Sequence, residues 1–234
     1  MAYQPTPVRA GGYPSGAGSL LATHKVLRNT YMLLSMTLLF SAAMAGVSMA
    51  VNAPYGLSLV ASLVSMGLIW FVLPRTAESA NGIYVVFAIT GLLGFGLGPV
   101  LNMYLKALPN GGQLIMSALG GTGLIFAALS GYVLTTKKDF SFMGGFLMTG
   151  VIALLLCSVG AMVASLFGVA VSGVFLALSA VSMLLFSGML LYQTSAIING
   201  GETNYIMATI GLYLSIYNIF TSLLHLLGFA NSDD

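Results

Sequence analysis

Seven runs of apolar residues, separated by short polar breaks, organise the chain. They lie at about 31–51, 57–73, 83–104, 112–134, 143–167, 169–198 and 205–229. The breaks carry turn formers: Asn52-Ala53-Pro54, Pro74, Asn81-Gly82, Pro109-Asn110-Gly111 and Asn199-Gly200-Gly201. The fifth and sixth runs are parted only at Phe167-Gly168-Val169. Each run is continuously apolar, whereas a barrel strand alternates over about ten residues. About 20 apolar residues cross a hydrocarbon slab of about 30 Å as one helix, and a helix satisfies its backbone within one segment. The pattern therefore predicts an all-α membrane protein, a seven-transmembrane helix bundle over residues 31–229. Residues 1–30, rich in Pro, Gly and Ser, read as a mobile N-terminal tail, and 230–234 as a short C-terminal tail.

Composition sharpens this picture. Of 234 residues, 58% are hydrophobic and 5% charged, against about 25% charged in soluble domains. Seven spans with their breaks leave no room for a separate catalytic domain outside the membrane. A net charge of +2, with no basic cluster interleaved with aromatics, gives no reason to expect nucleic acid. Cys157 is the single cysteine, so no disulfide can form within the chain, and no Cys/His zinc spacing occurs. No metal or cofactor is expected. The polar start precedes a run long enough to span, which does not read as a cleavable signal. With the N-terminus in the cytoplasm, that side holds Arg9, Lys25, Arg28, Arg75, Lys137 and Lys138, and the other only Lys106. The positive-inside rule then predicts N-in and C-out.

Lipid tails are as apolar as leucine, so the helices must join by close backbone approach and interhelical hydrogen bonds. Gly94 and Gly98 form a small-xxx-small pair in span three, and Gly160, Ala164 and Gly168 repeat that spacing in span five. Pro99 removes a ladder bond and is expected to kink span three. In span seven, Gly211, Ser215, Asn218, Ser222 and His225 recur at helical spacing on one stripe. Such a stripe faces protein, and it places the seventh helix at the bundle centre. As a second reading, it lines a narrow path. His225 reads as a hydrogen-bonding packer or, alternatively, as a ligand or switch. All five acids, Glu78, Asp139, Glu202, Asp233 and Asp234, fall in breaks or tails. Lys106 is placed to snorkel to the boundary. The deepest strongly polar side chains are Gln193 and Asn218. Ser222 and His225 could approach each other, but no third group orients the imidazole as hydrolysis requires. No enzyme is expected.

Two stretches carry a resemblance: TGLLGFGLGP at 90–99, with Gly91, Gly94 and Pro99, and the C-terminal pair LLYQTSAIINGGETNY at 190–205 and LYLSIYNIF at 212–220. They are similar to the Bax inhibitor-1 family, in its bacterial YccA branch. That resemblance implies an inner-membrane protein that binds and restrains the FtsH AAA protease with its HflK/HflC complex, limiting attack on membrane substrates such as SecY. Other members act as pH-sensitive calcium leaks. Their sensor is a pair of aspartates, in Tyr-Asp-Thr and Leu-Tyr-Leu-Asp motifs. Here those motifs read Tyr192-Gln193-Thr194 and Leu212-Tyr213-Leu214-Ser215. Paired carboxylates can share a proton because joint ionisation is costly. Gln193 and Ser215 cannot, so the proton gate is expected to be lost while a Gln–Ser hydrogen bond still joins the two helices. Oligomeric state is left open.

Overall fold

A computed structural model describes residues 16–231, with side chains from residue 23 onward. It contains seven long apolar helices: α1 (Gly16–Ala50), α2 (Gly56–Thr76), α3 (Asn81–Ala107), α4 (Gly111–Thr136), α5 (Gly144–Leu166), α6 (Ser172–Ile198) and α7 (Tyr205–Ala230). Each is long and apolar enough to cross a membrane. Helix α7 packs against α1, α3, α4 and α6, whereas α2 lies on α3 alone and α5 on α6 alone. A largely buried cluster including Leu34, Ile89, Leu190, Leu212 and Ile219 joins α1, α3, α6 and α7.

The expected boundary at residue 30 does not stand. Helix α1 begins at Gly16, and Val26 and Leu27 pack on the main apolar cluster while Thr30 is fully buried. His24, Lys25 and Arg28 point outward from this extension. The segment thus has an apolar face to bury, which the average polarity of 1–30 conceals. Residues 1–15 of the expected tail, and Ser232, Asp233 and Asp234, lie outside the described residues.

Two other boundaries shift for backbone reasons. Pro74 does not end α2. The helix widens over Leu68–Val72, where the Leu73 N–H donates to the carbonyl of Leu68 five residues back. It then continues through Pro74 to Thr76. A π-turn relieves the ring's clash with the preceding carbonyls, which an α-turn could not. Between α5 and α6, Gly168 takes φ +81° and the Val169 N–H returns to the Ala164 carbonyl at 3.2 Å. This is a glycine-dependent helix stop, and α6 starts at Ser172 instead of Val169.

The small-residue motifs divide. In α3, a Cβ on Gly94 would meet the backbone of Ser41, and one on Gly98 would meet the Ser48 side chain, both on α1. Gly91 lies against the Phe40 ring of α1, and Gly96 against Ser58 and Ala61 of α2. The glycine-rich stretch is therefore a wedge between α1 and α2. Pro99 is buried within the continuous α3 helix. In α5 the expectation fails: nothing lies within 4 Å of a Cβ on Gly160 or Gly168, so these two residues join no helix among the described residues. Cys157, also on α5, is exposed.

The two ends of the bundle are tied differently. At one end, Asn204 Nδ2 donates to the Ala77 carbonyl at 2.9 Å. There too, the Phe140 N–H donates to Ser195 Oγ at 2.9 Å and Ser195 Oγ lies 3.2 Å from the Lys138 carbonyl. Asp139 accepts the Ser141 N–H at 2.8 Å, which holds its exposed carboxyl below the usual carboxylate range. At the other end, Lys106 Nζ donates to Asn52 Oδ1 at 3.0 Å and Asn110 Nδ2 to Asn231 Oδ1 at 3.0 Å.

Candidate functional site

The site is assembled on α7, which starts on a side-chain cap. Asn204 Oδ1 accepts the Ile206 and Met207 N–H groups at 2.9 and 3.3 Å, and Glu202 accepts the Asn204 N–H at 2.7 Å. Gly200, at φ +77°, supplies the left-handed turn that brings the chain round from α6. The Gly-Gly-Glu-Thr-Asn loop is thus a helix start, locked to the α2–α3 loop through Asn204.

Two turns into α7, Tyr213 is fully buried. Its hydroxyl lies 2.7 Å from Ser41 Oγ of α1 and donates to the Thr90 carbonyl of α3 at 3.3 Å. A phenol at that depth requires a partner, and here one chain of hydrogen bonds joins three helices. Tyr213→Phe should remove about 0.6–1 kcal/mol of stability, the usual range for such bonds, with little further loss when Ser41→Ala is added. Unfolding of the single and double variants in a detergent titration measures both.

Gln193 of α6 and Ser215 of α7 meet across the contact between their helices. Ser215 Oγ lies 3.0 Å from Gln193 Oε1 and 3.1 Å from the Gly211 carbonyl. A Cβ on Gly211 would stand 3.0 Å from the Gln193 amide nitrogen, so that glycine makes room for the amide. The expected Gln–Ser bond is therefore present, and it joins two groups that do not titrate. On either side of Gln193, Thr194 is buried with no partner for its hydroxyl, and the Tyr192 ring covers Gly144 at the start of α5.

The rest of the stripe lines a cleft of about 590 Å³ between α5, α6 and α7, where Asn218, Ser222 and His225 face Ser158 and Ser179. His225 Nδ1 lies 2.7 Å from Ser179 Oγ of α6, and no hydrogen bond joins it to Ser222. Ser179 Oγ also lies 2.9 Å from the Phe175 carbonyl. A hydroxyl that donates to that carbonyl is left to accept from the imidazole, which is a packing arrangement and not an activated nucleophile. Asn218 Nδ2 donates to the Leu214 carbonyl at 2.8 Å. Gln193, Gly211 and Ser215 do not line the cleft. Among the described residues no three His, Cys, Asp or Glu side chains converge as metal ligands.

The family model for the inhibitor of apoptosis-promoting Bax1 matches residues 23–232. The chain belongs to the Bax inhibitor-1 family. Among curated relatives it is 52% identical over 215 residues to the modulator of FtsH protease YccA of Escherichia coli K12, covering 92% of this chain and 94% of that one. The counterpart in E. coli strain CFT073, at the same identity, is named inner membrane protein YccA. A protein of Pseudomonas aeruginosa is 53% identical over 209 residues, 89% of this chain and 91% of its own length. The Bax inhibitor-1 family is thus represented by membrane proteins named as inhibitors and modulators, not by a known class of enzyme. Within this member, the residues of Tyr-Gln-Thr and Leu-Tyr-Leu-Ser occupy the α6–α7 contact, and the third-helix glycines occupy the wedge against α1 and α2. Sequence reasoning passes over Tyr213, Ser41, Ser195 and the capping role of Asn204. A tyrosine inside an otherwise apolar run is the available signal, since its hydroxyl has to be satisfied by another helix.

Proposed function

We propose that this chain is an inner-membrane regulator, N-in and C-out with α7 at the bundle centre, that binds the FtsH protease together with HflK/HflC. In that role it limits degradation of membrane substrates such as SecY. The carrying observation is the 52% identity to a modulator of FtsH protease along nearly the whole of both chains. The excess of Lys and Arg at the end bearing the α1 start supports the orientation. The neutral Gln193–Ser215 contact supports action by touching a partner, since its atoms cannot carry a proton switch. In this orientation the N-terminal residues would give the protease a handle on the cytoplasmic side.

Purification from the native membrane in mild detergent tests this reading. Recovery of the AAA protease with the chain is expected; a chain that purifies without it, under conditions that keep the protease's other partners bound, contradicts it. A second reading, an ion leak of the Bax inhibitor-1 type, draws on the polar cleft of Asn218, Ser222 and His225. Against it stands the closed contact of Gln193, Ser215 and Gly211. Calcium flux from proteoliposomes separates the two, and a flux rising steeply with pH favours the leak.

A further inference from the structure

The backbones of helices α1 and α4 stay apart, bridged by the Tyr31 and Phe126 rings, and two cavities open along the seam between them. The first, of about 680 Å³, lies at the end of the bundle where α1 begins. His24, Lys25, Arg28 and Tyr31 line it beside Leu134 of α4, and among the described residues no carboxylate does. The second, of about 440 Å³, lies farther along the seam, walled by Leu38, Ala42 and Gly46 of α1 and Leu119 and Gly123 of α4, with Tyr217 of α7 behind. Tyr31 of the first cavity and Phe126 of the second are in ring contact at 6.0 Å, so the two spaces adjoin.

Their chemistry is graded. The outer space offers three exposed basic side chains, with Lys137 and Lys138 following α4 at the same end. Next comes the Tyr31 hydroxyl, buried without any hydrogen-bond partner. The inner space is apolar. Leu38, where the second cavity begins, is about 15 Å along α1 from Arg28 at the helical rise. That is about half of a hydrocarbon slab of about 30 Å, the depth of one leaflet. A phosphate suits the Lys25 and Arg28 pair, an ester oxygen would accept the Tyr31 proton, and only an alkyl chain suits the inner space.

We propose that the α1–α4 seam is a binding site for one anionic phospholipid, its phosphate on Lys25 and Arg28, its ester region at Tyr31 and one acyl chain in the apolar cavity. In the N-in orientation this lipid belongs to the inner leaflet. A soluble anion would use the basic end alone, and a zwitterionic lipid the apolar end alone.

Native mass spectrometry of the full chain, with phosphatidylglycerol and phosphatidylcholine of matched chains as probes, tests the site. The wild type should retain phosphatidylglycerol at least fivefold over phosphatidylcholine. Lys25→Gln with Arg28→Gln should bring the two to parity. Gly123→Leu adds a side chain where no atom lies within 4 Å of a Cβ, so it should fold and lower retention of both lipids. Lys106→Gln at the opposite end and Gly160→Leu on α5 should change neither. Unchanged retention of phosphatidylglycerol in the doubly neutralised variant, or an equal loss in Lys106→Gln, overturns the proposal. So does displacement of the lipid by glycerol 3-phosphate with no effect of Gly123→Leu, which would leave a headgroup anion site only. None of these outcomes depends on the protease.

Discussion

Gly94→Leu should leave little folded protein in the membrane, while Gly160→Leu accumulates and unfolds like the wild type. Both glycines lie in helices and both begin small-xxx-small spacings, so sequence gives them equal weight. Their surroundings differ. A Cβ on Gly94 would collide with the Ser41 carbonyl and hydroxyl, whereas nothing lies within 4 Å of one on Gly160. The Ser41 carbonyl belongs to the backbone of α1 and cannot rotate aside, so relief requires α1 and α3 to separate. Overpacking that side chains can absorb costs about 1–3 kcal/mol. Here the penalty is larger and falls on a total stability of only about 5–15 kcal/mol. Separation would also pull Ser41 from the Tyr213 hydroxyl and break the bond chain that ties α7 to both helices. Gly94→Ala should show a smaller loss of the same kind, and Gly160→Ala a gain of about 0.5–1 kcal/mol from helix propensity. Folded yield and detergent unfolding midpoints of the four variants give the comparison. Equal behaviour of the two sites would contradict the wedge.

Placing aspartate at both Gln193 and Ser215 should make stability fall as pH rises, a dependence the wild-type pair cannot produce. The two side chains stand 3.0 Å apart at their polar atoms. Carboxylates at that separation do not both ionise, so the folded double variant keeps a proton between them. The unfolded chain gives up its carboxyl protons near pH 4. At higher pH the folded state therefore binds more protons than the unfolded one, and stability declines by up to about 1.4 kcal/mol per pH unit per proton. The loss ends once the folded pair ionises. Unfolding midpoints between pH 5 and 8 read this directly. Gln193→Asp alone should show less, because Ser215 still donates to a single carboxylate. A double variant whose midpoint matches the wild type at every pH would mean that these positions do not face each other.

How far the fold is legible depends on what the chain signals locally. The seven helices can be read because continuous apolar runs of span length admit few other structures in lipid. The break at Gly168 can be read because glycine stops a helix there, although α6 starts only at Ser172. The start of α1 cannot, since the mean polarity of 1–30 hides the apolar face that Val26, Leu27 and Thr30 bury. Pro74 reads as a stop because a π-turn upstream leaves no mark in composition. The contrast between Gly94 and Gly160 lies outside sequence altogether: spacing says that a backbone could approach, not that one does. At the candidate site, the facing of Gln193 and Ser215 follows from the family motifs. The Ser41–Tyr213–Thr90 chain depends on which helices become neighbours, and apolar patterning carries little of that information.

Whether this bundle acts by contact with the protease, and not by titration within the membrane, can be measured directly. The measurement is degradation of a membrane substrate by FtsH in proteoliposomes, with and without this chain, at pH 6.5 and 8. The predicted result is a longer substrate half-life whenever the chain is present, by the same factor at both pH values. A half-life unchanged by the chain, or lengthened at one pH only, would contradict the account.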